Sequence, residues 1–104
     1  MKLALSAIVP IYNEDGNINE LYTRLKKSLS KISKKHEIIF INDGSSDNSL
    51  ANLKKLRQKD KTIKIIHFSR NFGHMPAVEA GLAHCSGQKV ILIDADLQDP
   101  PEVI

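Results

Sequence analysis

The stretch that decides the fold reads Lys89-Val90-Ile91-Leu92-Ile93-Asp94-Ala95-Asp96-Leu97-Gln98-Asp99-Pro100-Pro101. Its continuous aliphatic run predicts a strand that is buried on both faces. Asp94 and Asp96 follow it, so in extended backbone both carboxylates lie on one side of the chain, and Gln98 adds a neutral oxygen to the series. An all-oxygen set of this kind suits a hard cation such as Mg²⁺ or Mn²⁺. The alternative interpretation is an acidic turn closed by the two prolines.

Earlier apolar runs at residues 3–9, 37–41 and 63–68 predict three further strands. Apolar residues at helical spacing predict helices over residues 18–33, around Leu50, Leu53 and Leu56, and after Pro76. Strands and helices therefore alternate along the chain. This order predicts an α/β fold, with a mostly parallel sheet and helices on both of its faces, in a Rossmann-like arrangement.

Local signals predict how the helices begin and end. Asn17, with Glu20 three residues later, predicts a capped start for the first helix. Small residues such as Ala77 and Gly81 would let the third helix press close to the sheet. Gly87 is the expected C-cap of that helix.

The loops that follow the predicted strands are polar and occupy residues 10–14, 42–47, 69–74 and 94–98. Parallel strands end at one edge of a sheet, where ligands of α/β proteins bind, so these loops are expected to converge on one site. No G-x-G-x-x-G follows the first strand, and no G-x-x-x-x-G-K-[ST] occurs in the chain. The commonest phosphate-binding loops are therefore excluded.

The polar groups expected at this edge suit a nucleoside diphosphate. A divalent metal on the oxygen set of residues 94–98 would neutralise a diphosphate, and Arg70 would add a positive guanidinium nearby. The carboxylates of Asp43 and Glu14 can accept hydrogen bonds from a base or a ribose. Asp43 could instead cap the second helix, although Ser46 or Asp47 can supply that cap.

Composition limits the class of protein. A chain of 104 residues with 41% hydrophobic and 26% charged residues predicts one globular domain over residues 1–104. No apolar run is long enough to span a bilayer. The net charge of +3 comes from lysines in two helical stretches, which indicates solvated helix faces rather than a nucleic-acid or membrane surface. Cys85 is the single cysteine, which excludes an internal disulfide and fits a cytoplasmic protein with a small buried thiol.

Four motifs together resemble the successive signatures of family 2 glycosyltransferases of the GT-A type. They are Ile-Val-Pro-Ile-Tyr-Asn-Glu at 8–14, Ile-Asn-Asp-Gly-Ser-Ser-Asp at 41–47, Ser-Arg-Asn-Phe-Gly at 69–73, and Asp-Ala-Asp-Leu-Gln-Asp-Pro-Pro at 94–101. Within that family the chain is most similar to the branch of dolichol-phosphate mannosyltransferases and bacterial polyprenyl-phosphate glycosyltransferases. The resemblance implies transfer of a sugar, with inversion, from a UDP- or GDP-sugar to a polyprenyl or dolichyl phosphate, with Mg²⁺ or Mn²⁺, in cell envelope biogenesis.

The resemblance also implies roles for individual positions. The nucleoside would be held by Pro10, Tyr12, Glu14, Ile41 and Asp43. The metal and the diphosphate would be held by Asp94, Ala95, Asp96 and Gln98. His74 stands where many relatives have lysine, so it is either a phosphate contact or a surface loop residue.

Members of this family continue well beyond position 104, with the half that binds the acceptor and often a membrane anchor. The chain is therefore expected to be the donor-binding part of a longer protein at the cytoplasmic face of the membrane. No residue within it is expected to be catalytic, and the isolated chain is expected to be inactive. Its fourth strand would present an open edge through which the chain self-associates.

Two other classes of enzyme share an aspartate at a strand end. A response-regulator receiver needs an acidic pair after the first strand, where Pro10-Ile11-Tyr12 stands instead. A haloacid-dehalogenase-type phosphatase needs Thr or Val at the position of Gln98, with its motif after the first strand. The remaining rival is a nucleotide-binding module without catalytic activity.

Overall fold

The computed structural model describes residues 3–93, in which four strands alternate with three helices. The elements are β1 (Leu3–Ile11), α1 (Ile18–Ile32), β2 (His36–Asn42), α2 (Ser49–Lys59), β3 (Ile63–His67), α3 (His74–His84) and β4 (Gly87–Leu92). The strands form one sheet in the order β3-β2-β1-β4, and every neighbouring pair is parallel. The predicted alternation of strand and helix is confirmed.

The helices cover both faces of the sheet, as predicted. On one face α1 buries Leu21, Leu25 and Leu29 at a spacing of four residues, together with Leu53 of α2. On the other face Ala77 of α3 packs against Ile8, Ile39 and Ile41. Each fully buried Leu or Ile stabilises the fold by about 1.5–3 kcal/mol, so this two-sided core fixes the sheet that positions the loops.

The small residues of α3 allow the close approach that the sequence predicts. Gly81 is buried, and a Cβ at this position would lie only 2.5 Å from Cγ2 of Ile8. Any larger side chain would push α3 away from β1, since an apolar core is already close-packed.

Three local predictions were wrong in detail. Gly87 does not cap α3; it begins β4, where a Cβ would lie 2.5 Å from Oγ of Ser6. The C-cap is Cys85, which is half-buried rather than a core thiol. Asn17 occupies the N-cap of α1 without a side-chain capping bond, and its Nδ2 donates to Oε2 of Glu14 at 2.8 Å.

The first strand is longer than predicted and continues through Pro10 to Ile11. The Ile8 carbonyl accepts a hydrogen bond from the Ile93 N–H at 3.0 Å, so the backbone of Ile8, and of Pro10 two residues later, faces the side of β4. The register with β4 ends at Ile8 and Leu92. Pro10 has no N–H to donate, but the hydrogen-bond ladder with β4 has already ended at this position. The strand therefore tolerates a proline here.

A polar cluster lies at the amino-terminal edge of the sheet, opposite the predicted site. The Tyr22 hydroxyl donates to Oδ2 of Asp60 at 2.6 Å, and the Thr62 N–H and hydroxyl donate to Oδ1 at 2.9 and 2.7 Å. Burial and the contact with Asp60 raise the pKa of Tyr22 to about 12. Burial alone would raise the pKa of Asp60, but the hydrogen bonds from Tyr22 and Thr62 hold it well below its ordinary value. The cluster ties α1 to the start of β3.

Candidate functional site

The loops after β1 and β2 interlock at the carboxyl edge of the sheet. The backbone N–H of Asn13 donates to Oγ of Ser45 at 3.0 Å, and the N–H of Ser46 donates back to Oδ1 of Asn13 at 2.8 Å. The N–H of Glu14 donates to Oγ of Ser49, the first residue of α2, at 3.1 Å. Asn13 adopts a positive φ of 52°, a conformation that asparagine tolerates better than most residues. The predicted convergence of these two loops is confirmed.

Asp47 joins the same two loops to the first residue of α2. Its Oδ1 accepts from the Ser49 N–H at 2.9 Å, and its Oδ2 accepts from the Asp15 N–H at 3.2 Å. Burial would raise the pKa of Asp47, but the bonds from Ser49 and Asp15 hold it below its ordinary value. The predicted cap by Ser46 or Asp47 was wrong in position, because the N-cap residue of α2 is Asn48 and its side chain makes no capping bond. Asp47 instead accepts from the first N–H of the helix from one residue before the N-cap.

Asp43 connects the loop after β2 to the loop after β3. Its side chain is buried, with 4% of its surface exposed. Oδ1 accepts from the Phe72 N–H at 2.8 Å, while Oδ2 accepts from the Gly73 N–H at 3.0 Å and from Nδ2 of Asn71 at 3.1 Å. One carboxylate thus fixes three consecutive residues of the β3–α3 loop.

Gly44 allows this approach in two ways. It has a positive φ of 69°, a conformation that is strained for most side chains. A Cβ at this position would also lie 2.2 Å from the carbonyl carbon of Arg70 and 2.4 Å from the Asn71 nitrogen. Only glycine lets the two backbones come this close.

Neither sequence interpretation of Asp43 describes what its carboxylate does in the structure. It does not cap α2, where Asp47 is the acceptor. It is also not an open acceptor, because three of the roughly four lone-pair sites of a carboxylate are occupied by the β3–α3 loop. The sequence signal that could have revealed this role is the loop segment Asn71-Phe72-Gly73, whose backbone N–H groups need acceptors. Direct nucleoside contact by Asp43 stays a prediction.

The fixed loop carries Arg70 at the surface. The guanidinium carbon of Arg70 lies 4.6 Å from the ring centroid of Phe72, a cation–π distance. The ring of Phe72 in turn meets that of Phe68 edge to face, with centroids 5.4 Å apart. Phe72 is still 47% exposed. Arg70 is therefore an exposed cation whose orientation is restricted. Phe72 lies at the edge of the candidate site, and the sequence analysis did not single it out.

The other predicted nucleoside residues are distributed between surface and core. Tyr12 is 49% exposed in the loop after β1. Glu14 is half-buried, and its Oε2 is engaged by Asn17. Pro10 and Ile41 are paired neighbours in β1 and β2, but the Ile41 side chain is fully buried beneath α3. The structure thus brings Tyr12 and Glu14 to the edge, while Ile41 lies below it.

The predicted metal and diphosphate residues Asp94, Ala95, Asp96 and Gln98 lie outside the described residues. Ile93, which precedes them, donates its N–H to the Ile8 carbonyl at 3.0 Å near the carboxyl end of β1. Within residues 3–93, no group of three or more His, Cys, Asp or Glu side chains could hold a metal. Metal binding through residues 94–98 stays a prediction.

A buried hydrogen-bond network holds β4 in the sheet. The sequence did not predict this network. Glu37 of β2 accepts from Oγ of Ser6 and from the Ser86 N–H, both at 2.6 Å, and pairs with Nζ of Lys64 at 2.6 Å. The Gly87 N–H donates to Oγ of Ser6 at 2.7 Å. Burial would raise the pKa of Glu37, but Lys64, Ser6 and Ser86 hold it below its ordinary value. The carboxylate thereby links all the strands at their amino-terminal half.

Comparison with known proteins defines the class. Residues 6–104 match the family model described as glycosyl transferase family 2. The chain belongs to this family.

Two relatives from bacteria are close in sequence. The chain is 48% identical over 99 residues to an uncharacterized glycosyltransferase, YkcC, of Bacillus subtilis (strain 168), covering 95% of this chain and 31% of that protein. It is 46% identical over 104 residues to the uncharacterized glycosyltransferase sll0501 of Synechocystis, covering 100% of this chain and 33% of that protein. The chain thus spans about a third of the length of these relatives.

Solved structures show the same fold. TarS of S. aureus in complex with UDP-GlcNAc superposes with a TM-score of 0.80 at 29% identity, over 90% of this chain and 27% of that one. The mannosyltransferase PcManGT of Pyrobaculum calidifontis, in complex with GDP-Man and Mn²⁺, gives a TM-score of 0.81 at 21% identity, over 92% of this chain and 28% of that one. The second likeness is one of fold alone. The predicted GT-A fold is confirmed.

Proposed function

We propose that this chain forms the donor-binding part of a glycosyltransferase that takes its sugar from a nucleoside diphosphate sugar. The observation that carries the proposal is the interlocking of the β1, β2 and β3 loops at one edge of the sheet, through Asn13, Asp43 and Asp47. The sequence Asp94-Ala95-Asp96 follows the last strand of the same sheet. Ligands of open parallel sheets bind at this edge.

In this proposal the nucleoside lies over the loops after β1 and β2, near Pro10, Tyr12, Glu14, Ile41 and Asp43. Tyr12 offers an exposed aromatic face for a base. Glu14 offers a half-buried carboxylate that is already oriented by Asn17. Ile41 supports the loop from within the core, and Asp43 acts mainly by fixing the neighbouring loop.

Arg70 is proposed to meet the diphosphate. Its guanidinium stacks on Phe72, in a loop that Asp43 fixes by hydrogen bonds to the Phe72 and Gly73 N–H groups. A planar guanidinium held in this way can donate paired hydrogen bonds to phosphate oxygens with little loss of side-chain entropy. His74, the exposed first residue of α3, is a second candidate for this contact.

Mg²⁺ or Mn²⁺ is proposed to bind through Asp94, Asp96 and Gln98, beside Ala95. Two carboxylates and an amide oxygen are the ligand types that hard divalent cations prefer, so the residues fit the group. When bound, such an ion stabilises the negative charge that develops on a departing diphosphate.

The acceptor is proposed to be a polyprenyl or dolichyl phosphate, which receives the sugar with inversion. A lipid phosphate is already anionic near neutral pH, so it needs less assistance from a general base than a sugar hydroxyl would. The proposal includes one domain over residues 1–104, within a longer enzyme at the cytoplasmic face of the membrane, in cell envelope biogenesis. Within residues 3–93, no helix is long and apolar enough to cross a bilayer.

Thermal-shift measurements with UDP- and GDP-sugars, with and without Mn²⁺, test the donor proposal. One nucleotide class should raise the melting temperature when the metal is present, since ligands stabilise only the state they bind. Asp96→Ala should remove the metal-dependent part of the shift, whereas Glu79→Ala on the exposed face of α3 should not. Calorimetry that shows unchanged metal-dependent affinity in Asp96→Ala would exclude Asp96 from the metal site.

The second candidate is a module that binds nucleotide without transferring sugar. The observation that favours it is that the polar side chains of the interlocked loops bond to one another, as in the Asn13–Ser46 contact. Such contacts build a binding surface and supply no catalytic group. Single-turnover assays with a polyprenyl phosphate acceptor separate the candidates. Lipid-linked sugar formed in one turnover by the longer enzyme supports transfer, and donor binding by that enzyme with no product supports the module. The 104-residue chain, which is expected to be inactive in either case, is the control.

A further inference from the structure

The outer edge of β3 carries backbone groups that the sheet does not use. The Phe68 N–H donates to the Asn42 carbonyl at 2.9 Å, and the Ile38 N–H donates to the Thr62 carbonyl at 3.1 Å. The backbone N–H and C=O groups of the even-numbered residues in this segment therefore face β2. Since alternate residues of a parallel strand direct their backbone to opposite sides, the N–H and C=O groups of Ile65 and His67 face away from the sheet. Among residues 3–93, no strand pairs with this edge.

A groove of about 730 Å³ follows this edge between α2 and α3. Its floor is apolar and consists of Leu50 of α2 together with Ile65 and Ile66 of β3. Because Ile65 packs with the core on the α1 and α2 face while Ile66 packs with the core under α3, the groove extends around both sides of the strand.

The rim of the groove is basic. Lys54 and Arg57 line it from α2, Lys64 and His67 from β3, and His84 from α3, and none of the residues 3–93 that line it carries a carboxylate. Lys64 is partly neutralised by Glu37 at 2.6 Å. Lys54 and Arg57 are exposed and form no ion pair with any described residue. A one-sign rim of this kind raises the local concentration of anionic partners.

We propose that this edge of β3 is a docking site for an extended, acidic peptide segment of a partner protein, which adds as a strand beside Ile63–His67. Backbone pairing with Ile65 and His67 would supply the ladder, as in other cases of strand addition to an open sheet edge. Acidic side chains would meet Lys54 and Arg57 on the α2 face, and the apolar side chains that alternate with them would cover Ile66 on the α3 face. The site is separate from the donor edge and does not depend on the proposed function.

A second copy of the chain is disfavoured as the occupant. Pairing two β3 edges would bring two rims of the same positive charge together, on a chain whose net charge is already +3. A nucleic acid or a membrane could meet the basic rim but would leave the N–H and C=O groups of Ile65 and His67 unpaired. The combination of a ladder edge, an apolar floor and a basic rim fits an acidic polypeptide.

The test uses the ¹⁵N-labelled 104-residue chain and a synthetic ten-residue peptide of alternating glutamate and valine. Titration should shift the amide signals of Ile65 and His67, and it should protect these amides from hydrogen exchange. A peptide with alternate backbone nitrogens methylated should bind at least about tenfold more weakly, because it has lost hydrogen bonds that each contribute about 1 kcal/mol.

Charge reversal provides the second arm. Lys54→Glu combined with Arg57→Glu should weaken peptide binding about tenfold or more, since it replaces two attractive contacts with repulsion. The matched control, Lys27→Glu with Lys31→Glu on exposed positions of α1, makes the same change in net charge and should have little effect.

Four outcomes would overturn the proposal. They are equal binding of the methylated peptide, equal loss with the α1 control, tighter binding of a poly-dT oligonucleotide or of phosphatidylserine vesicles through the same residues, and dimerisation of the chain that is abolished by the Lys54 and Arg57 reversal.

Discussion

Replacing Asp43 with alanine should release the β3–α3 loop, and the size of the effect can be worked out from the contacts. The carboxylate accepts bonds of 2.8, 3.0 and 3.1 Å from Phe72, Gly73 and Asn71. A hydrogen bond to a charged group contributes about 1.5–3 kcal/mol. The three bonds are not additive, because water can reach the loop once the carboxylate is gone. We therefore expect the free energy of unfolding to fall by about 3 kcal/mol in total.

Urea unfolding followed by circular dichroism measures this loss, which corresponds to a fall in melting temperature of more than about 12 °C for a chain of this size. Hydrogen exchange should locate it, because the amides of Phe72 and Gly73 lose their acceptor and become unprotected. Asp43→Asn keeps the volume and one carbonyl oxygen, so it should recover part of the stability. Glu79→Ala, at an exposed position of α3, is the control for a carboxylate without these contacts.

The same variant distinguishes loop positioning from direct contact with the nucleotide. If Asp43 acts through the loop, Asp43→Ala and Phe72→Ala should lower nucleotide affinity in a non-additive way, because both disturb the support of Arg70. Loop positioning by Asp43 is refuted if Asp43→Ala leaves the unfolding free energy and the hydrogen exchange of Phe72 and Gly73 unchanged while nucleotide affinity falls. In that case the Asp43 carboxylate contacts the nucleoside directly.

Three further predictions concern other parts of the chain. Gly44→Ala should destabilise the fold by about 2 kcal/mol or more in urea unfolding, since it combines a φ of 69° with a contact of 2.2 Å, whereas Gly16→Ala, with no atom within 4 Å, should be nearly neutral. Because the pKa of Asp60 is lowered in the folded state, its ionised carboxylate stabilises the fold at pH values above the ordinary pKa of 3.8, and this contribution is lost as the pH falls through the folded-state pKa. Asp60→Asn should therefore make the free energy of unfolding fall less steeply at acid pH. An equally steep fall in the variant would contradict the assignment. Among residues 3–93 no strand pairs with the outer edge of β4, and this edge should cause self-association at tens of micromolar, the range in which open edges commonly aggregate. Leu92, which is 49% exposed, can be changed to lysine to suppress it, and sedimentation of the unchanged chain as a monomer would count against the idea.

The sequence by itself determined the order of strands and helices, because the periodicity of apolar residues is local and strong. It also determined that the loops after β1, β2 and β3 meet, since parallel strands joined by right-handed crossovers must end at one edge. The helix ends were less predictable. Gly87 is a residue type that commonly follows the end of a helix, yet in the structure it begins β4, where only glycine fits beside Ser6.

Only the tertiary structure decided what individual side chains do. Asp43 reaches partners that are 28 to 30 residues away, and Glu37 accepts from Ser86, 49 residues away. Such contacts depend on how the elements pack, and residue type alone does not encode them. For the same reason, the lysines of α2 read as a solvated face, although Lys54 lines a groove beside an open strand edge. Local patterns specify elements, whereas the partners of a buried or edge polar group are specified by packing over long sequence distances.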